Sequence, residues 1–237
     1  MKRYDYLLFD ADNTLYDFSH AEYVSFGKAC EQCGIVCSNA LYARYSQIND
    51  ALWKKLEKKE TTFDELKVER FRLLLCENGY ADNDKTMAEA AKICTCYMEA
   101  LSKNNDLVDG AYEVCRRLKD RFSLYLVTNG TAYTQRSRFS SSTIADCFRG
   151  MFISGEIGVS KPSPLFFDKV IEAVGETDRS RYLVIGDSLT SDCDGAIGAG
   201  LDICYLDPDG KGGGGRRLTY TIKRLTDLYD ILGVNND

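Results

Sequence analysis

The chain has 237 residues, of which 44% are hydrophobic and 28% are charged, and this composition indicates a folded globular protein rather than a disordered one. The net charge of −6 leaves no excess of basic side chains for binding a nucleic acid polymer. Histidine occurs once, as His20, so a metal site built from several histidines is excluded.

The chain shows no sign of membrane insertion or secretion. No uncharged stretch approaches the roughly 18 residues that a membrane-spanning helix needs, and the first residues do not resemble a secretory signal. The sequence contains ten cysteines. Cys30, Cys33 and Cys37 continue a helical stripe from Tyr23 and Phe26, so we expect reduced thiols that pack as small apolar side chains. These features predict a cytoplasmic protein without a membrane partner.

The first predicted strand covers residues 6–9, and a long helical segment follows it. Between residues 17 and 106 no strand-like run occurs, and four successive helical stripes predict a small bundle. We therefore expect a helical cap domain at 17–106, inserted into a core domain formed by residues 1–16 and 107–237.

Strand-like and helical segments alternate after the insert. Apolar runs at 124–127, 182–185 and 203–206 are nearly continuous, which is typical of strands that are covered on both faces of a parallel sheet. Helical periods at 111–122 and 166–174 lie between them. The predicted fold class is therefore α/β, with a doubly wound parallel sheet in the core and an inserted helical bundle as the cap.

Polar residues follow three of the predicted strands directly. Ligands of open parallel sheets bind at the carboxyl ends of the strands, so these residues are the candidate site. A lysine in a loop between the second and third of these strands joins them. The set consists of Asp10 and Asp12, then Thr128, Asn129 and Gly130, then Lys161, and finally Asp187 and Asp192.

The chemistry of this set points to a metal ion and a phosphoryl group. Four neighbouring carboxylates, those of Asp10, Asp12, Asp187 and Asp192, repel one another unless a cation neutralises them. Ligation by oxygen alone favours a hard ion, most simply Mg²⁺. Lys161, the Thr128 hydroxyl and the backbone N–H groups of residues 128–130 would bind phosphate oxygens.

The two carboxylates after the first strand can divide the chemical work between them. Asp10 follows the strand directly and is held rigidly, so it can attack phosphorus and form an aspartyl-phosphate. Asp12 can protonate the leaving oxygen and then activate the water that hydrolyses the intermediate. Lys161 and the cation would stabilise the charge on the transferring oxygens.

With these motifs the chain resembles the haloacid dehalogenase-like hydrolase superfamily over nearly its whole length. The similar segments are Asp10 to Leu15 (DxDxT), Thr128, Lys161, and Gly186 to Asp192 (GDxxxxD). The resemblance implies that Asp10 is the nucleophile and Asp12 the acid/base. It also implies Mg²⁺ ligation by the Asp10 side chain, the Asp12 carbonyl oxygen and Asp187, with Asp192 acting through water or from the outer shell.

A narrower resemblance is to the noncanonical pyrimidine 5′-nucleotidase branch of that superfamily. It is carried by residues 48–53, 154–162 and 178–181, and it implies nucleoside monophosphates as substrates. The chain departs from the branch at Gly155, where an acid is common, and at Val108 and Gly198. None of these positions belongs to the four motifs, so the departures bear on the substrate rather than on the chemistry.

The insert offers two candidate substrate-binding residues, and several substrates stay open. Asn49 can hydrogen-bond a base and Trp53 can stack on one, although packing inside the cap beside Leu52 and Leu56 explains Trp53 somewhat better. The expected partner is a small phosphate monoester, and the oligomeric state is not predicted. The alternatives are a phosphoglycolate or sugar-phosphate phosphatase, a phosphomutase and a non-enzymatic nucleotide sensor. The intact DxD motif disfavours a haloacid dehalogenase.

Overall fold

The computed structural model describes residues 4–234, and the chain separates into two compact units. One unit contains the residues up to Phe18 and those from Asn105 onward, and the other contains Ser19–Asn104. None of the helices within residues 4–234 has the length and apolar character that a bilayer crossing requires.

The smaller unit is built from helices, and polar residues cap the amino ends of several of them. The helices are α1 (Phe18–Gln32), α2 (Asn39–Glu57), α3 (Phe63–Glu77) and α4 (Asp84–Leu101). The side chains of Ser38, Thr62 and Asn83 accept hydrogen bonds from the first turns of α2, α3 and α4. Glu65 completes a capping box with Thr62, so the start of α3 is specified twice.

The predicted apolar stripe from Tyr23 to Cys37 is wrong in part. Helix α1 ends at Gln32 because Gly34 takes a left-handed conformation (φ 69°), which ends the helical hydrogen bonding. Cys30 is buried as expected, but Tyr23 and Cys37 are exposed. The buried face of α1 instead includes Ala21, Phe26 and Ala29, and the cysteines of the described range are free thiols.

A buried network of polar groups crosses the interior of the helical unit. Asn49 on α2 donates from Nδ2 to Glu22 Oε1 (3.0 Å) and accepts at Oδ1 from Arg70 Nη1 (3.0 Å). The guanidinium of Arg70 also lies over the ring of Tyr97, 4.6 Å from its centroid. Asn49, Glu22 and Arg70 are each less than a tenth exposed. The Asn49 amide therefore links a buried acid to a buried base.

The larger unit contains a parallel sheet with helices on both faces. Its strands are β1 (Tyr6–Phe9), β2 (Ser123–Thr128), β3 (Phe148–Ile153), β4 (Tyr182–Gly186), β5 (Asp202–Leu206) and β6 (Tyr220–Ile222). Its helices are α5 (Ala111–Leu118), α6 (Ala132–Ser140), α7 (Ser154–Ile157), α8 (Pro164–Val174), α9 (Asp194–Gly198) and α10 (Leu228–Leu232). Together with the helical insert, this architecture confirms the predicted fold class.

The central strands are apolar on both sides because each face of the sheet has its own core. Leu7 and Phe9 of β1 face the core that α5 and α10 cover, whereas Leu8 faces the core that α8 and α9 cover. Leu7, Leu8 and Phe9 are fully buried. A near-continuous apolar run is what a strand in this position requires.

The structure has two strands that the sequence analysis missed, and both lie at the edges. The strand order is β3-β2-β1-β4-β5-β6, so β3 and β6 each have one neighbour within the described residues. In β3 only Ile153 is fully buried and Arg149 is exposed, while β6 has three residues. Edge strands are less covered, so their sequences lack the continuous apolar pattern on which the prediction depended.

The strand order places the carboxyl end of β1 at the point where the chain changes direction across the sheet. From β1 the chain adds β2 and β3 on one side, then crosses to add β4, β5 and β6 on the other. Phe9, the last residue of β1, is in register with Leu126 of β2 and Ile185 of β4. Residues that follow these strands therefore meet at one crevice.

We predict that Asn49→Leu destabilises the helical unit. The substitution leaves the Glu22 carboxylate and the Arg70 guanidinium without their shared partner, which should cost about 1–3 kcal/mol in the free energy of unfolding. Urea unfolding followed by circular dichroism measures this cost. Gln47→Leu, an exposed amide on the same helix, is the matched control and should change stability by less than about 0.5 kcal/mol. Equal stability of the two variants would contradict the prediction.

Candidate active site

A tight turn after β1 presents the first two carboxylates. The backbone N–H of Asp10 donates to the carbonyl oxygen of Ile185 (2.8 Å), so Asp10 still belongs to the sheet and is 7% exposed. Asn13 then takes a left-handed conformation (φ 59°), which asparagine tolerates better than most residues. The turn closes through a hydrogen bond from Asn13 N to Tyr16 O (2.8 Å). Asp12 lies inside this turn, with its side chain 23% exposed.

Lys161 is the buried cation of the site. Its side chain is 1% exposed, and Nζ donates to Asp10 Oδ1 (2.5 Å), Asp192 Oδ1 (2.6 Å) and the carbonyl oxygen of Val127 (2.9 Å). Burial lowers the pKa of this ammonium group, but Asp10 and Asp192 raise it further, and the net shift is upward. Lys161 is therefore charged and fixed on three oxygens.

The side-chain amide of Asn129 holds the backbone of Lys161 in place. Its Oδ1 accepts from the N–H of Lys161 (3.0 Å) and its Nδ2 donates to the carbonyl oxygen of Lys161 (2.9 Å). The N–H of Gly130 donates to the hydroxyl of Ser154 (3.0 Å). The Gly130 N–H, one of the backbone groups expected to bind phosphate, is thus engaged by Ser154, and the Asn129 side chain positions Lys161. The substrate-binding role of the turn at 128–130 stays a prediction.

Three carboxylates converge opposite the lysine. Asp10, Asp187 and Asp192 each offer an oxygen, and these oxygens lie within 4.8 Å of one another. Thr14 donates from Oγ1 to Asp187 Oδ1 (3.0 Å), and Ser188 N–H donates to Asp192 Oδ2 (3.1 Å). The carboxyl group of Asp12 is not part of this group of three.

Gly186 makes room for one of these carboxylates. A Cβ at this position would lie 2.3 Å from Asp192 Oδ2, so no side chain fits between the end of β4 and Asp192. Gly155 is similarly confined, because a Cβ there would lie 2.8 Å from the carbonyl oxygen of Gly130. A larger side chain at position 155 would therefore require the turn at Gly130 to shift.

Burial and crowding disfavour the ionised carboxylates. Burial, reinforced by the charge of Asp192, holds the pKa of Asp10 well above its usual value. The same two causes raise the pKa of Asp187 to about 7. A nearby cation stabilises the ionised form of such carboxylates, and Lys161 supplies one positive charge to the group. An all-oxygen donor set of this kind fits a hard divalent ion.

Two functional candidates on α6 were missing from the sequence analysis. Gln135 donates from Nε2 to Asp12 Oδ2 (2.9 Å), and Arg138 donates from Nη1 to Asp12 Oδ1 (2.5 Å). A signal for them exists in the sequence. Gln135 and Arg138 are three residues apart on the helix that follows Gly130, so one helical face carries both toward the site.

The structure places the two cap candidates in different environments. Asn49 is 4% exposed and its amide is engaged in the network with Glu22 and Arg70. Trp53 is half-buried and its ring lies 5.7 Å from that of Phe63, centroid to centroid. The amide of Asn49 thus serves the interior of the helical unit, and the substrate-binding role of both residues stays a prediction.

Comparison with known proteins identifies the family to which the chain belongs. The family model described as haloacid dehalogenase-like hydrolase matches residues 4–200. The chain belongs to this family and is a hydrolase, which confirms the predicted family and enzyme class.

Relatives that match nearly the whole chain include two pyrimidine nucleotidases. The pyrimidine 5′-nucleotidase PynA of Streptococcus pneumoniae is 32% identical over 98% of this chain and 96% of its own length. The pyrimidine 5′-nucleotidase YjjG of Escherichia coli is 27% identical over 97% and 98%. A crystal structure of the HAD-hydrolase YfnB from Bacillus subtilis, bound to magnesium, has a TM-score of 0.90 and 38% identity, covering 98% of this chain and 99% of that one.

We predict that the metal-free protein becomes less stable as the pH rises from about 5 to 8. In the unfolded chain an aspartate titrates near about 4, whereas the pKa of Asp187 in the folded protein is about 7. Between these values the folded state holds a proton that the unfolded state has released, so stability falls with rising pH.

Thermal melts in a chelator across this pH range measure the effect. Asp187→Asn should flatten the decline, because the amide does not titrate. Asp120→Asn, in the exposed turn before β2, is the control and should keep the wild-type slope. Identical slopes for the wild type and Asp187→Asn would contradict the prediction.

Proposed function

We propose that this protein is a Mg²⁺-dependent phosphatase that hydrolyses phosphate monoesters through an aspartyl-phosphate on Asp10. The observation that carries the proposal is the buried Asp10 carboxylate, fixed by Lys161 at 2.5 Å beside two further carboxylates. A rigid carboxylate next to a buried ammonium suits attack on an electron-poor phosphorus whose oxygens carry negative charge.

Magnesium fits the residues that are present. The carboxylates of Asp10 and Asp187 and the carbonyl oxygen of Asp12 would bind it. Asp192 would act through water or from the outer shell. Asp192 already uses Oδ1 for Lys161 and Oδ2 for the Ser188 N–H, which supports an outer role. Bound there, the ion would neutralise the carboxylates and stabilise negative charge on the phosphoryl oxygens.

The chain's own residues account for both chemical steps. In the first step a carboxylate oxygen of Asp10 bonds to phosphorus, the bond to the leaving oxygen breaks, and Asp12 gives that oxygen a proton. In the second step a water oxygen bonds to phosphorus, its proton passes to Asp12, and the bond to Asp10 breaks. Phosphate leaves and both aspartates return to their starting states.

Pyrimidine nucleoside monophosphates are the proposed substrate class. Support comes from PynA and YjjG, which match this chain over nearly all of its length. Further support comes from the segments at 48–53, 154–162 and 178–181, which resemble the nucleotidase branch. In the helical unit, Trp53 supplies the aromatic face that a base can stack on.

Asp10→Asn should abolish Mg²⁺-dependent phosphate release, because the amide cannot form the phosphoryl intermediate. We expect a loss of at least about 1,000-fold in kcat with p-nitrophenyl phosphate, since the nucleophile carries the reaction. Asp120→Asn, in the exposed turn before β2, is the control and should keep wild-type turnover. Wild-type turnover by a folded Asp10→Asn variant would refute the mechanism.

A panel of phosphate monoesters tests the substrate class. Pyrimidine nucleoside monophosphates should give a higher kcat/KM than purine nucleoside monophosphates, ribose 5-phosphate or phosphoglycolate. Trp53→Leu should raise the KM for the preferred nucleotide about tenfold, the equivalent of losing roughly 1.4 kcal/mol of stacking. The KM for p-nitrophenyl phosphate should stay unchanged. A preference for phosphoglycolate would contradict the substrate class. An unchanged nucleotide KM in Trp53→Leu would contradict the role of Trp53.

A further inference from the structure

Both oxygens of the Asp12 carboxyl group are held by side chains of one helix. Arg138 Nη1 lies 2.5 Å from Oδ1 and Gln135 Nε2 lies 2.9 Å from Oδ2. Two donors on two different oxygens fix the plane of a carboxylate as well as its position. Asp12 is therefore oriented from the α6 side.

Arg138 is buried in the interior of the larger unit. Arg138 is 0% exposed, although a buried guanidinium is costly unless it is paired. Its charged group lies over the rings of Tyr16 and Phe18, at 4.9 and 5.8 Å from their centroids. These rings follow the turn that carries Asp12. The segment from Asp12 to Phe18 thus supplies both the carboxylate that pairs with Arg138 and the aromatic rings that pack against its guanidinium.

Gln135 connects Asp12 to a second part of the site. Its Nε2 also lies 3.3 Å from the carbonyl oxygen of Asn129, in the turn that clamps Lys161. A Cβ at Gly130 would lie 3.1 Å from the same nitrogen, so the Gln135 side chain packs directly against this turn. Helix α6 therefore sets the position of Asp12 relative to the turn after β2.

The neighbouring arginine of α6 does something different. Arg136 makes a two-pronged ion pair with Glu156 (2.5 and 2.7 Å), and its side chain is 59% exposed. Arg136 and Arg138 lie on different faces of the helix. This contrast separates a role in the site from a general requirement for arginine on α6.

We propose that Arg138 and Gln135 are positioning residues that aim the Asp12 carboxyl group at the leaving oxygen and at the attacking water. The inference rests on the proposed phosphatase function and extends it to residues outside the four sequence motifs. In this role neither residue contacts the phosphoryl group. They act through Asp12, so their loss impairs the two proton transfers and leaves the attack by Asp10 in place.

The two proton transfers can be separated by the choice of leaving group. An alkyl leaving group, as in a nucleoside monophosphate, departs as an alkoxide and needs a proton from Asp12. Nitrophenolate is a stable anion and departs without one. With p-nitrophenyl phosphate, a misaligned Asp12 therefore leaves the first step intact and slows only the hydrolysis of the aspartyl-phosphate.

The test compares Arg138→Lys and Gln135→Met with Arg136→Lys as the matched control. The first two should lower kcat for the nucleoside monophosphate about 10- to 100-fold, with KM within about threefold of the wild type, as expected for misplaced proton transfer. With p-nitrophenyl phosphate, rapid mixing should show a burst approaching one nitrophenolate per enzyme, larger than the wild-type burst. Arg136→Lys should behave as the wild type in both assays.

The outcomes distinguish a failure of the positioning role from a failure of the proposed phosphatase function. An equal loss of kcat on both substrates without a burst, or no loss at all, overturns the positioning role. If Arg138→Lys does not fold, Gln135→Met decides, because it keeps the side-chain length and removes the amide that donates to Asp12. A wild type that hydrolyses neither ester refutes the proposed function itself, whereas an active wild type with unaffected variants refutes only the role of α6.

Discussion

The ion pairs between the buried Lys161 ammonium and the carboxylates of Asp10 and Asp192 hold the site together. All three side chains are at most 10% exposed, and the lysine lies within 2.6 Å of an oxygen of each acid. Removing one member of a buried group of this kind typically costs about 3–5 kcal/mol, because it leaves the others unpaired. The charges therefore constrain where the ends of β1 and β4 and the loop at residue 161 can lie.

The sheet provides the second constraint. Parallel strands bring their carboxyl ends to one edge, and the change of direction at β1 opens a crevice between the residues after β1 and those after β4. Asn129 then fixes the Lys161 backbone through both atoms of its amide. The site is thus built in layers, in which strands place the acids, a turn places the lysine and α6 orients Asp12.

Much of this arrangement could be predicted from the sequence because the chemistry-bearing residues directly follow strands with a strong apolar signal. The edge strands β3 and β6 could not, since half-covered strands carry charged and small residues such as Arg149 and Gly150. The sequence also does not reveal that the Asn129 side chain holds Lys161 or that the Gly130 N–H donates to Ser154. Arg138 was missed because an arginine in a helix is usually exposed, and its three-residue spacing from Gln135 becomes informative only together with its burial.

The central claim is that Asp10 carries the phosphoryl group during turnover. Rapid acid quenching of the enzyme during turnover of p-nitrophenyl phosphate, followed by peptide mass spectrometry, tests it directly. The account predicts a peptide that contains Asp10 and has gained the mass of one phosphoryl group, and this peptide should disappear when the intermediate is left to hydrolyse. A phosphoryl group on another residue, or an active enzyme that never carries one, would contradict it.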